Sequence, residues 1–588
     1  MIDKKLLYGP LYGLPDPGVT SSLDQDILVT SRGDIATRIL SMRPRYFALQ
    51  ALWNATAPIN KLPNEILLEI ISLANPRRQP ASEPGLPPVQ TPNPYPIGAP
   101  CWLPLMLVCR HWYAIILSNA RLWRAIDIYR NPNHFIFALK HSGKTTFDLA
   151  IHYPRATRFI VPALAPIASR LSKLLLPRLC CGLLRPVFLL LLESWPRLEG
   201  LTVLREPCNP QTCSSIPPML EFPLERFPML STLRLSAMAI SWDVGLVSRM
   251  RRLELSHCSH AGPQISFDAF LDVCEACPDL EELRLHNFLS TACSDRSRAP
   301  RRTVALPKLK DFGFRDEPSL VSQLLSDLHL PYDARIHIGS ELDIRDQDDL
   351  DPGEDRSRFD LTRLLPKDRS RLPMSRILRR AKVEVVAGLM RIVGMDEETY
   401  FVLDFDTDFK DWMDWPMLLP DAVEGLVKVF GNCDIGELEI VGGTSYFQLS
   451  DHVDFLMQFT NLEVLRIEGT ELGYFEGGHE LRELFDALAD VMVISEGKLL
   501  CPRLRSLSLV GVGWVGDSLD SIGRSLKFRA EHGSVLEELH LELSYEGLGL
   551  EDDFETFKAP FYAELCALIP GACVFIYGDT SVINPRLV

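Results

Sequence analysis

A short apolar pattern recurs through the part of the chain that follows Ser194. Each copy has an apolar residue, two variable residues, a second apolar residue, one variable residue and a third apolar residue. The alternation at the end of each copy predicts a strand with one buried face. The copies that can be counted are Leu198, Leu201, Val203; Leu230, Leu233, Leu235; Met250, Leu253, Leu255; Leu280, Leu283, Leu285; Leu309, Phe312, Phe314; Ile435, Leu438, Ile440; Leu462, Leu465, Ile467; Leu504, Leu507, Leu509; and Leu536, Leu539, Leu541.

The spacing of these copies predicts a repeated structural unit. Successive copies begin 32, 20, 30 and 29 residues apart between Leu198 and Leu309. Between Ile435 and Leu536 they begin 27, 42 and 32 residues apart. These intervals centre on the repeat lengths typical of leucine-rich repeats but vary more widely. Segments before the strands, such as 267–277 and 481–493, have helical spacing, so each unit is predicted to be a helix followed by a strand. Stacked units would share one core and align their strands as a parallel sheet with a curved binding surface.

The repeats are degenerate and are interrupted once. The consensus has Asn or Cys eight positions after its first leucine. Cys258 meets this requirement, whereas Met238, Phe288, Thr470, Val512 and Ser544 do not. From about 341 to 380 the pattern gives way to aspartates followed by arginines, which predicts a mobile, mixed-charge insertion. The expected fold of residues 131–588 is therefore a leucine-rich-repeat-like α/β solenoid with this insertion.

The N-terminal part is helical in pattern. Irregular apolar positions between Asp24 and Trp53 predict helices, so residues 1–58 are expected to form a helical lead-in. A further helix begins at Pro63, with apolar residues at helical spacing behind it. Nine prolines between positions 76 and 100 predict an extended, solvated loop. Helical spacing then resumes and continues to residue 126.

An ordered set of apolar and polar residues spans positions 59–130: Leu62, Pro63, Glu65, Ile66, Leu67, Ile70, Leu105, Val108, Cys109, Arg110, Trp112, Leu122 and Trp123. On these residues the segment 59–130 resembles the F-box, with the proline-rich stretch at 76–100 as an insertion between helices that usually follow each other closely in this family. With the repeats behind it, the chain is similar to fungal-type F-box proteins with degenerate leucine-rich repeats. The expected fold class is thus α/β, with an N-terminal helical F-box followed by the repeat solenoid.

The resemblance implies docking on the Skp adaptor and, through it, on a cullin, with no bond chemistry in the chain itself. Leu122 and Trp123 are expected to pack the domain. A large apolar stripe is readily covered by a partner, where a few anchors dominate the binding energy. The alternative is that the same residues form the core of an ordinary helical bundle, because periodicity does not separate the two kinds of stripe. The residues implied to contact the adaptor are Leu62, Pro63, Glu65, Ile66, Leu67, Ile70, Leu105, Val108, Cys109 and Trp112.

Composition narrows the classes of partner and location. The chain has 588 residues, of which 46% are hydrophobic and 23% charged, so a folded body is expected. A net charge of −16 argues against nucleic acid as a partner. No apolar run reaches the roughly 18 residues that a membrane helix needs, so no membrane partner is expected. Fourteen scattered cysteines without a secretory signal indicate free thiols in the cytoplasm, the nucleus or both.

Two motifs for bound groups are incomplete. Ser142, Gly143, Lys144 and Thr145 resemble the end of a phosphate loop. That motif also needs a glycine five residues before Gly143, and position 138 is alanine in this chain. A calcium loop needs glycine and glutamate where Phe409 and Trp415 stand. The start of that loop is imitated by Asp404, Asp406 and Asp408. An exposed strand face explains these acids better.

Zinc and phosphate recognition are weaker alternatives. Cys258, His260, Cys274 and Cys277 have spacings that can bind zinc, but Cys258 and Cys274 also fit apolar packing positions. The arginines at 296, 298, 301 and 302, with those from 356 to 380, suit a phosphorylated target but suit solvated loops better. No nucleophile with a matching base is recognisable. The sequence therefore predicts no catalytic residue, no cofactor and no metal.

Together these features predict a substrate-recognition subunit of a Skp–cullin–F-box ubiquitin ligase. It would bind an unidentified target protein on its repeat domain for ubiquitin-dependent degradation. Two alternatives stay open. One is a repeat scaffold that binds a protein partner outside any ligase. The other is a hydrolase in the region 315–430, motivated by the acids and the weak repeat pattern there.

Overall fold

The structure is a computed structural model of the whole chain. It describes residues 32–73, 103–129, 131–206, 219–242, 244–260, 264–293, 302–341, 359–368, 372, 378–397, 399–407, 415–444, 446–469, 480–489, 499–513, 518–544, 561–571 and 573–578. The predicted proline-rich loop at 76–100 and most of the predicted charged insertion lie outside these residues.

The chain divides into two compact units, Met1–His152 and Tyr153–Val588. The predicted F-box region therefore groups with the helix and strand that follow it. The helices of the first unit are α1 (Arg32–Thr56), α2 (Asn64–Leu73), α3 (Arg110–Ser118) and α4 (Asn133–His141), with 3-10 turns at Pro58–Lys61 and Pro104–Leu107. Its strands, β1 (Ala125–Ile128) and β2 (Phe147–Ile151), pair in parallel.

The second unit alternates helices and strands for most of its length. Its helices are α5 (Pro154–Ile160), α6 (Cys181–Leu191), α7 (Val244–Val247), α8 (Phe267–Glu275), α9 (Leu289–Ala292), α10 (Pro318–Asp327), α11 (Leu419–Phe430), α12 (Leu449–Gln458), α13 (Glu480–Ala489) and α14 (Ser518–Glu531), with 3-10 turns at Val161–Ala163, Ala165–Arg170, Leu361–Leu364 and Trp415–Leu418. Residues 561–568 are also helical.

The strands of the second unit are β3 (Leu171–Leu179), β4 (Gly200–Arg205), β5 (Met219–Leu220), β6 (Thr232–Ser236), β7 (Ala239–Ile240), β8 (Arg252–Ser256), β9 (Ser259–His260), β10 (Glu282–His286), β11 (Val304–Ala305), β12 (Asp311–Arg315), β13 (Leu328–His329), β14 (Arg335–Glu341), β15 (Arg380–Val386), β16 (Leu389–Met395), β17 (Tyr400–Asp406), β18 (Glu437–Gly442), β19 (Val464–Gly469), β20 (Ser506–Gly513), β21 (Glu538–Ser544) and β22 (Cys573–Gly578).

One large, mostly parallel sheet runs through this unit in the order β3-β4-β6-β8-β10-β12-β14-β17-β16-β15-β18-β19-β20-β21-β22. The predicted copies of the apolar pattern all end in its strands, and their apolar residues are all buried. The second apolar positions are paired side by side in two ladders, Leu201–Leu233–Leu253–Leu283–Phe312 and Leu438–Leu465–Leu507–Leu539. Burial of one sheet face thus sets the register, as the alternation predicted.

The repeated pattern lapses where three strands enter the sheet between β14 and β18. Strand β16 runs antiparallel to both β15 and β17, while β17 pairs in parallel with β14 and β15 with β18. The apolar pattern did not predict β15 or β16. The strand face expected at Asp404 and Asp406 lies on β17, but Asp404 is buried there and not exposed as expected. The described part of the predicted charged insertion is anchored, because Phe359, Leu361 and Leu364 are buried and the carbonyl of Leu365 accepts a hydrogen bond from Ser322 Oγ at 2.7 Å.

Local signals fix several helix starts and turns. Helix α8 begins after Ser266, whose Oγ accepts a hydrogen bond from the amide of Ala269 at 3.1 Å. Three residues that each directly follow a strand, Ala237, His257 and Asn287, have φ of 57°, 52° and 50°. Each of their amides donates to a carbonyl of the next strand, at 2.8, 2.7 and 2.7 Å. The left-handed conformation therefore recurs at equivalent repeat positions without any glycine.

Candidate functional site

The first unit builds a small helical core around α2 and α3. Pro63 precedes α2, where its missing N–H costs no helical hydrogen bond. Leu67 and Ile71 lie one turn apart on α2 and are fully buried. From α3, Ile115 and Ile116 are buried, so both helices direct one apolar stripe inward.

A second apolar stripe on the same elements faces outward. On α2, Ile66 is 50% exposed and Ile70 is 38% exposed. Beside α3, Leu107 is 83% exposed and Val108 is 54% exposed. Exposed apolar side chains that cluster in this way mark a surface that a partner covers.

The structure separates the predicted adaptor-contacting residues into two groups. Leu67 has no exposed surface and Trp112 is 8% exposed, so both side chains pack inside the unit. Leu122 and Trp123, predicted as packing residues, are buried. Of the remaining predicted contacts, Leu105 and Cys109 are half-buried and the others are exposed: Leu62, Pro63, Glu65, Ile66, Ile70 and Val108.

The indole groups of the unit are held by hydrogen bonds. Trp112 Nε1 donates to Asn60 Oδ1 at 2.6 Å, and Asn60 Nδ2 donates to the carbonyl of Asn54 in α1 at 2.7 Å. Trp123 Nε1 donates to the carbonyl of Ile116 at 2.9 Å. Trp112 and Asn60 therefore tie the end of α1 to α3, a link between residues 52 positions apart that sequence patterns did not reveal.

A different kind of site lies on the sheet face opposite the buried leucines, which we call the polar face. Asp404 on β17 is fully buried there, and its carboxylate is within 2.6 Å of Arg315 Nη2, 2.7 Å of His337 Nε2 and 3.2 Å of Arg391 Nη2. Burial alone raises the pKa of Asp404, but the hydrogen bond from His337 and these positive charges outweigh it. The pKa of Asp404 therefore lies well below its usual range.

The space for this cluster comes from a glycine. A Cβ at Gly339 would stand 2.1 Å from Asp404 Oδ1 and 3.0 Å from Arg315 Nε. Arg315 also pairs with Asp406. The two aspartates of the incomplete calcium loop thus bind arginine, while Asp408 lies outside the described residues.

Ion pairs continue along the polar face on both sides of Asp404. Arg234 pairs with Glu254 at 2.8 Å, and Arg284 pairs with Asp311 at 3.0 Å. Further along the sheet, Lys382 pairs with Glu439 at 3.0 Å. Like charges are kept apart by placing acids and bases on adjacent strands. The face is therefore charged but largely neutralised internally.

The cysteines of the zinc alternative behave as packing residues. The thiols of Cys258 and Cys277 donate to backbone carbonyls, and burial raises their pKa to about 11 and about 12. Burial likewise raises the pKa of Cys274. His260 Nδ1 accepts a hydrogen bond from the amide of Trp242 at 3.3 Å. Among the described residues there is no group of three or more His, Cys, Asp or Glu side chains placed to hold a metal.

The incomplete phosphate loop is a turn between α4 and β2. Gly143 has φ of 59°, and Thr145 Oγ1 donates to the carbonyl of Ser142 at 2.7 Å. Glycine is suited to this left-handed position.

None of the helices within the described ranges is both long and apolar enough to cross a membrane.

Comparison with known families and proteins bears on the first unit. Curated proteins show no match to this chain. A family model described as F-box-like matches residues 59–129, which are the residues that contribute α2, α3 and the outward apolar stripe. The predicted F-box is thereby confirmed. The chain carries an F-box-like domain at residues 59–129, and this match supports its identification as an F-box protein.

Proposed function

We propose that this protein is the substrate-recognition subunit of a Skp–cullin–F-box ubiquitin ligase. The observation that carries the proposal is the F-box-like domain at residues 59–129, followed by a large repeated sheet. F-box domains generally bind the Skp adaptor. In this proposal the outward apolar stripe enters the adaptor, and the adaptor connects the chain to a cullin and a ubiquitin-charged conjugating enzyme.

The second unit would bind the target protein for ubiquitin-dependent degradation. We infer that its repeated helices and strands are degenerate leucine-rich repeats of a fungal-type F-box protein, stacked as a solenoid. The polar face supports a recognition role, because its charged side chains stand on a rigid sheet and a target can exchange ion pairs with them. The chain would be an adaptor without a catalytic site, in the cytoplasm, the nucleus or both.

The proposal is tested by purifying the full chain with Skp adaptor and cullin. The wild-type protein should copurify with both partners. Leu62→Ala combined with Pro63→Ala removes two exposed side chains that are predicted to contact the adaptor and should weaken Skp binding by about 30-fold or more. Thermal unfolding of the double variant checks that the domain still folds. A wild-type chain that does not bind the adaptor would contradict the proposal.

A repeat scaffold outside any ligase is the second candidate. The ion pairs of the polar face favour it, because charges that are paired within the sheet form a stable surface for a protein partner of any kind. Binding of the Skp adaptor without recruitment of cullin would favour the scaffold over the ligase subunit.

A further inference from the structure

A cleft of about 920 Å³ lies between α1 and the segment that leads into α3. Phe47 and Ala51 of α1 form one wall, and Leu107, Val108 and Tyr113 form the other. All five side chains belong to the first unit, and Leu107 and Val108 also belong to the outward stripe. The apolar surface of the F-box-like domain therefore continues onto a helix that lies before the matched residues 59–129.

Helix α1 is held in place at its C-terminal end. Besides the link through Asn60 to Asn54, the guanidinium of Arg110 stands 5.8 Å from the ring of Phe47, across the cleft entrance. Outside the cleft α1 stays open, because Met42 and Trp53 are 66% and 79% exposed. The contacts of Asn54 and Phe47 hold the cleft wall in one position, which lowers the cost of binding a partner there.

The charge in and around the cleft limits what that partner is. Among the residues that line the cleft, Arg110 is basic and none is acidic. Residues 35–64, between Asp34 and Glu65, contain Arg38, Arg43, Arg45 and Lys61 and no acidic residue. Residues 103–126 contain Arg110, Arg121 and Arg124 and no acidic residue. This basic region stands in a chain whose net charge is −16. A second copy of the chain would bring identical basic walls together in a symmetric contact, which like-charge repulsion disfavours.

We propose that α1 is the second wall of the adaptor-docking site, and that the Skp adaptor places an apolar segment with acidic flanks in this cleft. The inference rests on the proposed function, because it names the same partner. It extends the docking site beyond the F-box-like domain to the helix before it. Val108 and Cys109, both among the residues predicted to contact the adaptor, line the same cleft and make the two surfaces continuous.

The test compares two glutamates on opposite sides of α1 in the full chain, with purified Skp adaptor as the probe. Ala51→Glu puts a carboxylate into the cleft, where burial and acidic flanks oppose it, and should weaken adaptor binding by about 30-fold or more. Leu49→Glu is the matched control, because Leu49 is outside the cleft, and should change the dissociation constant by less than about 3-fold. Thermal unfolding of both variants checks that each is folded.

Ionic strength tests the charge of the partner. Raising the salt concentration should slow association of the wild-type chain with the adaptor, because screening weakens long-range steering. The double variant Arg43→Glu with Arg110→Glu should reduce the association rate constant by about 10-fold at low salt and flatten the salt dependence. An association rate that is independent of salt and unchanged in this variant overturns the acidic-flank part of the inference.

The failures of the two proposals are distinguishable. If the wild-type chain does not bind the adaptor, the proposed function fails and the inference fails with it. If the Leu62→Ala and Pro63→Ala variant loses binding while Ala51→Glu and Leu49→Glu bind equally well, the inference alone is overturned. Loss of a self-associated species in Ala51→Glu, measured by light scattering, would assign the cleft to a second copy and would also overturn it.

Discussion

The apolar side chains that define the two units differ in how far they are buried. The second unit buries the apolar residues of its repeats, and Leu283 at the centre of one ladder is 1% exposed. The first unit leaves Ile66, Leu107 and Val108 at least half exposed. Because exposed apolar surface is unfavourable in water, a partner that covers these side chains would stabilise the first unit. The second unit already has its apolar core.

The two units also differ in how far their charged side chains are paired. On the polar face of the second unit, Asp404 has partners on three strands, the guanidinium groups of Arg315 and Arg391 and the imidazole of His337. In the first unit, the residues that line the cleft include Arg110 and no acid. Unbalanced charge favours association with an opposite charge, whereas paired charge favours internal order. Substitutions in each unit test this difference.

The largest effect is expected in the apolar ladder. Leu283→Ala removes a buried side chain between Leu253 and Phe312, and should lower the free energy of unfolding by about 2–5 kcal/mol through lost burial and the remaining cavity. Denaturant unfolding followed by circular dichroism measures it. Arg252→Ala, on the exposed face of the neighbouring strand, is the control. Equal stability of the two variants would contradict the buried ladder.

A buried histidine should make the second unit sensitive to acid. His452 on α12 is stacked on Phe447, and neither ring nitrogen has a hydrogen-bond partner within the described part of the chain. Burial lowers its pKa from 6.5 to about 4. The unfolded state therefore binds a proton before the folded state does, and stability falls as pH drops from about 6.5 to about 4, by up to about 3 kcal/mol.

His452→Phe should remove this part of the pH dependence. Unfolding free energies at pH 7 and pH 4.5 for both proteins measure it. His532→Phe is a matched control, because His532 is exposed and hydrogen-bonds its own helix. A wild-type and a His452→Phe protein that lose equal stability on acidification would disprove the assignment.

Asp404→Asn tests the charge cluster of the polar face. The substitution keeps the shape but removes the fully buried charge that Arg315 and Arg391 share, leaving them the more exposed Asp406 and Glu384, so stability at pH 7 should fall by about 1.5–3 kcal/mol. Because the folded-state pKa of Asp404 is depressed, its contribution is present above the ordinary aspartate pKa of about 3.9 and is lost as pH falls below it.

The difference between wild type and Asp404→Asn should accordingly be constant near neutral pH and shrink below about pH 4. Unfolding curves at several pH values measure it, with Asp333→Asn as an exposed aspartate control. A difference that grows on acidification would show that Asp404 is not held ionised by these partners.

The smallest effect on stability is expected on the outward stripe. Ile66→Ser changes a half-exposed side chain and should alter the free energy of unfolding by less than about 0.5 kcal/mol. The same substitution should weaken Skp adaptor binding by about 10-fold, if the stripe docks there. Ile71→Ser, five residues further along α2 and on its buried face, should instead unfold the domain. Stability and binding that change together in Ile66→Ser would remove the distinction between the two stripes.

The sequence predicted the repeating parts of the fold well. Strand positions and register follow from the spacing of the apolar residues, because only one register buries all of them. The ordered residues around Leu62 and Trp112 located the F-box-like domain. The sequence pattern did not distinguish the outward-facing Ile66 from the buried Leu67, since both fit helical spacing. Which face of the helix is covered depends on the neighbouring helix.

By itself, then, the sequence determined the alternation of helices and strands, the face that each repeat buries and the position of the F-box-like domain. Tertiary structure alone decided the entry of β15, β16 and β17 into the sheet, the pairing of Arg315 with Asp404 and the cleft beside α1. The physical reason is range. Burial patterns are set by neighbours a few residues apart, whereas Arg315 and Asp404 are 89 positions apart and meet only when the sheet forms.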